Sequence, residues 1–106
     1  MNTEGQDEAL VEAAQAGSTL AFTRLLDRHP QALRAFLRRT CGNWTLADDL
    51  AQDTFLTAWT RLERLKSGVS FRSWLFGIGY NKHLTAIRSS GRERLRETAY
   101  EAEKPP

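Results

Sequence analysis

Apolar residues along the chain recur three and four positions apart and never alternate over the length of a strand, so helices are predicted throughout and strands nowhere. "DEALVEAAQAG" is alanine-rich, with acids in its first turn and Gly17 placed to end it. Ser18 can cap a second helix, in which Leu20, Phe22, Leu25 and Leu26 recur at helical spacing. Pro30 then either kinks that helix or opens a new one at its first turn. "QALRAFLRRT" is apolar at Leu33, Phe36 and Leu37, with Arg34, Arg38 and Arg39 outside, and "CGN" interrupts the pattern before Trp44. Thr45 and Asp48 have capping-box spacing for a helix running to about residue 64. "LKSGVS" is a turn with Gly68 at its flexible position, and Ser70 can cap a last long helix from Phe71 to at least Arg88. The charged "SSGRERLRETAYEAEKPP" reads as a frayed helical extension entering a linker at Pro105 and Pro106. The predicted fold is all-α, a compact bundle of about four helices.

Two of these helices carry more than a core needs. At 100° per residue, Ala47, Ala51, Phe55, Ala58 and Leu62 form a core stripe, and its alanines allow a neighbour to come close. Asp49, Gln52, Asp53, Leu56 and Thr60 form a second stripe, with Trp59 at the margin and no basic residue between positions 48 and 60. Such a stripe is either a solvated face or a docking face for a basic, partly apolar partner. On the last helix, Phe71, Trp74, Leu75 and Ile78 lie on one side while Phe76, Tyr80 and Ile87 lie nearly opposite, the pattern of a central, buried helix. Arg72, Asn81, Lys82, His83 and Arg88 do not belong in a core. Basic groups can neutralise phosphates, and asparagine can hydrogen-bond a base edge. Aromatic or arginine side chains can stack on unpaired bases, at roughly 1–3 kcal/mol per base.

The net charge of +2 hides an asymmetry. Residues 1–60 hold 5 Lys/Arg against 8 Asp/Glu, and residues 61–106 hold 10 against 5. The first half therefore suits a basic partner and the second a polyanion, with solvated surfaces as the plain alternative. Cys41 is the only cysteine, which excludes an internal disulfide and a thiol metal cluster. With an acidic, polar N-terminus and no long apolar run, a reduced, cytoplasmic location without membrane contact is expected. No catalytic or metal-binding constellation stands out: His29, His83 and Cys41 lie in separate segments, and the adjacent Asp48 and Asp49 point about 100° apart on a helix. No enzyme activity, metal or cofactor is expected. A helical protein-interaction module without DNA binding is the rival reading. A membrane-surface helix is disfavoured because Lys/Arg and aromatics are not segregated onto opposite faces.

"LADDLAQDTFLTAW" resembles region 2.2 of bacterial sigma factors of the extracytoplasmic-function (ECF) type in the sigma-70 superfamily. "SFRSWLFGIGYNKHLTAIR" resembles regions 2.3 and 2.4, and "AGSTLAFTRLLDRHPQALRAFLRR" is similar to region 2.1. The three motifs occur in the family's order. The resemblance implies one region 2 domain over residues 1–98, with 9–42, 43–65 and 66–90 as its successive parts and 99–106 as the start of a linker. Sigma factors of this type also carry a C-terminal helix-turn-helix region that reads the −35 element. It is absent from these 106 residues, so the chain is expected to be a fragment of a longer protein.

In that family the region 2.2 helix docks on the clamp coiled coil of the largest subunit of core RNA polymerase. Carried over, this implies a contact through Asp48, Asp49, Leu50, Gln52, Asp53 and Leu56, with Phe55 packed inside and Leu50 shared. The following helix captures the non-template single strand of the promoter −10 element and holds it melted, as in base flipping. The turn before it helps form the pocket for an extruded base. The resemblance thus implies DNA contacts by Lys66, Ser67, Gly68 and Val69 in the turn and by Arg72, Asn81, Lys82, His83 and Arg88 on the helix. An anti-sigma protein covering these faces is a further expectation from the family. Two positions depart from the pattern: Thr85 stands where an Asp is usual, and Gly79-Tyr80 where Ala-Arg is common. Mid-helix, Gly79 costs up to about 1 kcal/mol, so close backbone packing is expected there.

Overall fold

The computed structural model describes residues 3–103, with side chains placed within 5–93 and for Leu95. Five helices follow in order: α1 (Thr3–Gln15), α2 (Thr19–Arg28), α3 (Pro30–Cys41), α4 (Trp44–Arg61) and α5 (Phe71–Glu103), with a 3-10 turn at Leu62–Arg64. The boundaries follow local chemistry. Ser18 Oγ accepts the Ala21 N–H at 3.1 Å and starts α2. Pro30 occupies the first turn of α3, so it opens a new helix instead of kinking α2. Gly42 ends α3 in the left-handed region at φ 67°, its N–H donating to the Arg38 carbonyl. Ser70 Oγ accepts the Ser73 N–H at the start of α5.

The start of α4 differs from the capping box expected at Thr45 and Asp48. Asn43 is the cap: its side-chain oxygen accepts the Leu46 N–H at 3.1 Å. Asn43 has the extended backbone a cap needs, and Thr45 is already inside the helix.

The core lies where α3, α4 and α5 meet, with α1 and α2 packed beside it. Leu25, Leu33, Leu37, Ala47, Ala58 and Leu75 are fully shielded. On α4 the inward face is Ala47, Leu50, Ala51, Thr54 and Ala58, which rotates the expected stripe. Leu50, expected to be shared, is buried, and Phe55, expected inside, is only half-buried. Small residues at 47, 51, 54 and 58 bring the neighbouring helices too close for a ring at 55, which falls at the edge. Thr54 is buried at no polar penalty because its hydroxyl donates to the Leu50 carbonyl at 2.6 Å.

Gly79 is the close-packing point. A methyl group built there would sit 3.3 Å from Thr54 Oγ1 and 3.4 Å from Leu33 Cδ1. The buried face of α5 is Phe71, Leu75, Gly79 and His83, a four-residue spacing. Tyr80 and Ile87 are exposed, so α5 is buried on one side and not on both, because α3 and α4 cover it from one direction.

Helix α5 continues to Glu103, and at about 1.5 Å per residue its 33 residues supply most of the long axis of a molecule measuring 65 × 24 × 21 Å. Pro105 and Pro106, expected to open a linker, lie outside the described residues. None of the described helices is long and apolar enough to cross a membrane.

Two long-range polar contacts tie α1 down. The buried Asp7 carboxylate accepts from Arg28 Nε at 2.7 Å and from His29 Nε2 at 2.8 Å. At the other end, Gln15 Nε2 donates to the carbonyls of Leu62 and Leu65, both at 3.0 Å.

Candidate functional site

The outward face of α4 is built as the spacing predicts: Asp49, Gln52, Asp53, Leu56 and Thr60 are all exposed. Among the described residues neither Asp49 nor Asp53 has an ion-pair partner, so their charge is open to solvent. Asp48 is different. Arg38 grips it with one edge of its guanidinium, Nε donating to Oδ1 at 3.1 Å and Nη2 to Oδ2 at 3.0 Å. That hydrogen bond holds the Asp48 carboxyl below the usual carboxylate range. The same guanidinium lies 4.5 Å from the centroid of the exposed Trp44 ring. Asp48 thus presents a largely neutralised charge at the first turn of α4.

Beside the acids runs a groove that the α4 pattern alone did not reveal. Phe22 and Leu26 of α2 form one wall, and Phe55, Leu56 and Trp59 of α4 the other, with Arg34, Asp48, Asp49 and Gln52 at the rim. The Phe22 and Trp59 rings pack at 4.6 Å between centroids. The four-residue spacings of Phe22/Leu26 and Phe55/Trp59 were the available signal, but only the fold brings the two pairs together. Leu56, 62% exposed, leaves a large apolar side chain in water one turn beyond the free Asp53 carboxylate.

The residues assigned to DNA divide into two recesses. Asn81 and Lys82 line a groove between α4 and α5, together with Asp53, Thr57, Arg61 and Ile78. Thr85, at the family's usual Asp position, turns its hydroxyl to the Asn81 backbone carbonyl at 3.0 Å and leaves the Asn81 side chain alone. Lys66, Ser67, Gly68 and Val69 border a separate recess whose facing wall is α1, through Glu8, Val11, Glu12 and Gln15. Gly68 takes φ 85°, and the Val69 N–H donates to the Lys66 carbonyl at 3.2 Å, so residues 66–69 form a tight turn that needs glycine. Arg72 is exposed, with its guanidinium 5.0 Å from the Phe76 ring, which stacks in turn on Phe36. Arg88 is exposed further along α5.

His83 does not join them. It is 8% exposed and turned toward α3, with Nδ1 3.2 Å from Cys41 Sγ. Contrary to the expected DNA contact, His83 falls on the buried face of α5, four residues beyond Gly79. Burial also pushes the Cys41 thiol above its ordinary range, which keeps it protonated near neutrality. Cys41 and His83, remote in sequence, thus form one internal contact.

Known proteins share this arrangement. The sigma-70 region 2 family matches residues 25–93. The chain is 42% identical over 82 residues to the RNA polymerase sigma factor NccH of Alcaligenes xylosoxydans, covering 77% of this chain and 44% of that protein. It is 38% identical over 103 residues to the RNA polymerase sigma factor CnrH of Cupriavidus metallidurans, covering 97% and 52%. A solved structure of CnrH in complex with the cytosolic domain of CnrY superposes with a TM-score of 0.69 at 35% identity, over 95% of this chain and 67% of that one. The chain spans about half the length of the curated relatives it matches. On the family match over residues 25–93 and these relatives, the chain belongs to the sigma-70 region 2 family, as the region 2 domain of an ECF-type RNA polymerase sigma factor.

Proposed function

We propose that this domain binds core RNA polymerase through the outward face of α4 and holds the melted −10 strand of a promoter on α5 and the 66–69 turn. The observation that carries the polymerase half is that Asp49 and Asp53, without ion-pair partners among the described residues, share the outward face of α4 with exposed Leu56, next to the Phe22–Trp59 groove. A basic, partly apolar helical surface such as the clamp coiled coil complements it in charge and shape. Gln52 adds a hydrogen-bonding group, and Asp48 acts at the rim with its charge shared by Arg38. Leu50, being buried, supports the face from beneath.

On the nucleic-acid side, Lys82 supplies charge and Asn81 a base-reading amide within one groove. Arg72 and Arg88 extend the basic track along α5, and the 66–69 turn receives the extruded base. The domain works by binding energy, without a cofactor. The solved complex of CnrH with the cytosolic domain of CnrY supports a second protein partner for this domain, of the anti-sigma kind.

The deciding experiment is capture of core RNA polymerase by the wild-type domain and by Asp49→Lys/Asp53→Lys. Wild-type capture with loss in the charge-reversed form, at unchanged helicity, is the expected result. Equal capture by both places the interface elsewhere.

A further inference from the structure

We infer that Gln15, on the helix that precedes the family match, is a positioning residue for the 66–69 turn and through it controls which base the domain accepts. The inference rests on the reading of that turn as the receptor for an extruded base.

The geometry is specific. Both partners of the Gln15 side-chain nitrogen are backbone carbonyls, Leu62 and Leu65, each at 3.0 Å. Carbonyls only accept, so the amide must present its NH₂ here, and its two hydrogens serve the two oxygens. Leu62 opens the 3-10 turn that ends α4, and Leu65 caps it with an extended backbone at ψ 117°. Gln15 therefore fixes the point where the chain leaves helical geometry. Its own backbone closes α1, 47 and 50 residues away in sequence.

Only a short span follows before the next fixed point. Leu65 is buried, the Lys66–Val69 turn hydrogen bond closes the loop, and Phe71 is buried at the start of α5. The exposed side chains of Lys66, Ser67 and Val69 hang between these two anchors. Four residues have little slack, so the direction set at Leu65 is passed on to the turn. Helix α1 is in turn held by buried Asp7 on His29. The wall facing the turn is thus tethered to the α2–α3 junction, and α1 belongs to the base-receiving recess although it lies outside residues 25–93.

The test uses the full chain with core polymerase and a randomised single-stranded DNA pool, from which base preference at each position is read. Exchange of residues 66–69 for Gly-Ser-Gly-Ser first identifies the position that the turn reads. Gln15→Met keeps length and shape but donates nothing, whereas Gln15→Lys restores a donor to the carbonyls. Expected is a preference at that position reduced about threefold to tenfold by Gln15→Met, the range that losing one or two such bonds allows, with recovery in Gln15→Lys. Polymerase capture stays unchanged in both. If the turn exchange alters a preference and Gln15→Met does not, even where it lowers the melting temperature, Gln15 is only structural and the inference fails. A turn exchange that changes no preference overturns the base-receiving role of the turn, and the inference with it.

Discussion

Asp7 and His29, 22 residues apart in sequence and both buried, meet at 2.8 Å where α1 crosses the junction of α2 and α3. A carboxylate can only accept, so the ring nitrogen facing it carries the proton. The contact joins the N-terminal helix to the residue that ends one helix and precedes the proline of the next.

Removing the carboxylate leaves the buried ring donor without its partner. Asp7→Ala is expected to lower stability by about 1–3 kcal/mol, the range for stranding a buried polar group, while Asp7→Asn, which keeps one acceptor oxygen, loses less. Urea unfolding followed by far-UV circular dichroism checks the order.

Gly77 and Gly79 of α5 should respond in opposite directions. Gly77 is exposed and helical with open space around its α-carbon, so Gly77→Ala is expected to stabilise by roughly 0.5–1 kcal/mol through helix propensity. At Gly79 a methyl already meets Thr54 and Leu33, and Gly79→Leu is expected to destabilise by about 1–3 kcal/mol or more through overpacking. Thermal melts of the two variants separate these effects; a stabilised Gly79→Leu would mean that α4 and α5 are not in close contact there.

Lys82 and Asn81 share a groove but should fail in different ways. Lys82→Ala is expected to weaken binding of single-stranded −10 DNA at every sequence and to reduce the slope of log K against log salt by about 0.7, the value for one phosphate on a single strand. Asn81→Ala should leave the slope alone and flatten base preference at one position. Titrations at several salt concentrations, in complex with core polymerase, distinguish the two. An unchanged slope in Lys82→Ala removes that side chain from the phosphate track.

What could be read from the sequence was local. Helical spacing and Ser18 and Ser70 as caps act within a few residues, and the fold follows them, whereas Pro30 allowed either a kink or a new start and the structure takes the second. The acidic stripe of α4 was legible for the same reason, since one helix defines it. The choice between Leu50 and Phe55 for the inside was not, because it depends on how closely neighbouring helices approach. Asn43 displaced Thr45 as a cap because both are good capping types and only the backbone angle decides. His83 was misplaced because a polar residue on a helix gives no sign that a partner such as Cys41 waits on another element. The Phe22–Trp59 groove and the Gln15 contacts join segments far apart in sequence, which helical periodicity cannot reach.

The missing side chain at Gly79 also has a mechanical meaning. Ordinarily two helices are separated by a layer of large side chains whose rotamers absorb small sliding or tilting movements. Where α4 and α5 meet at Gly79 and Thr54 that cushion is gone, and the two rods bear on each other almost directly. One rod carries the acidic face and the other the asparagine and lysine. A tilt of α4 would therefore meet α5 with no yielding layer between them.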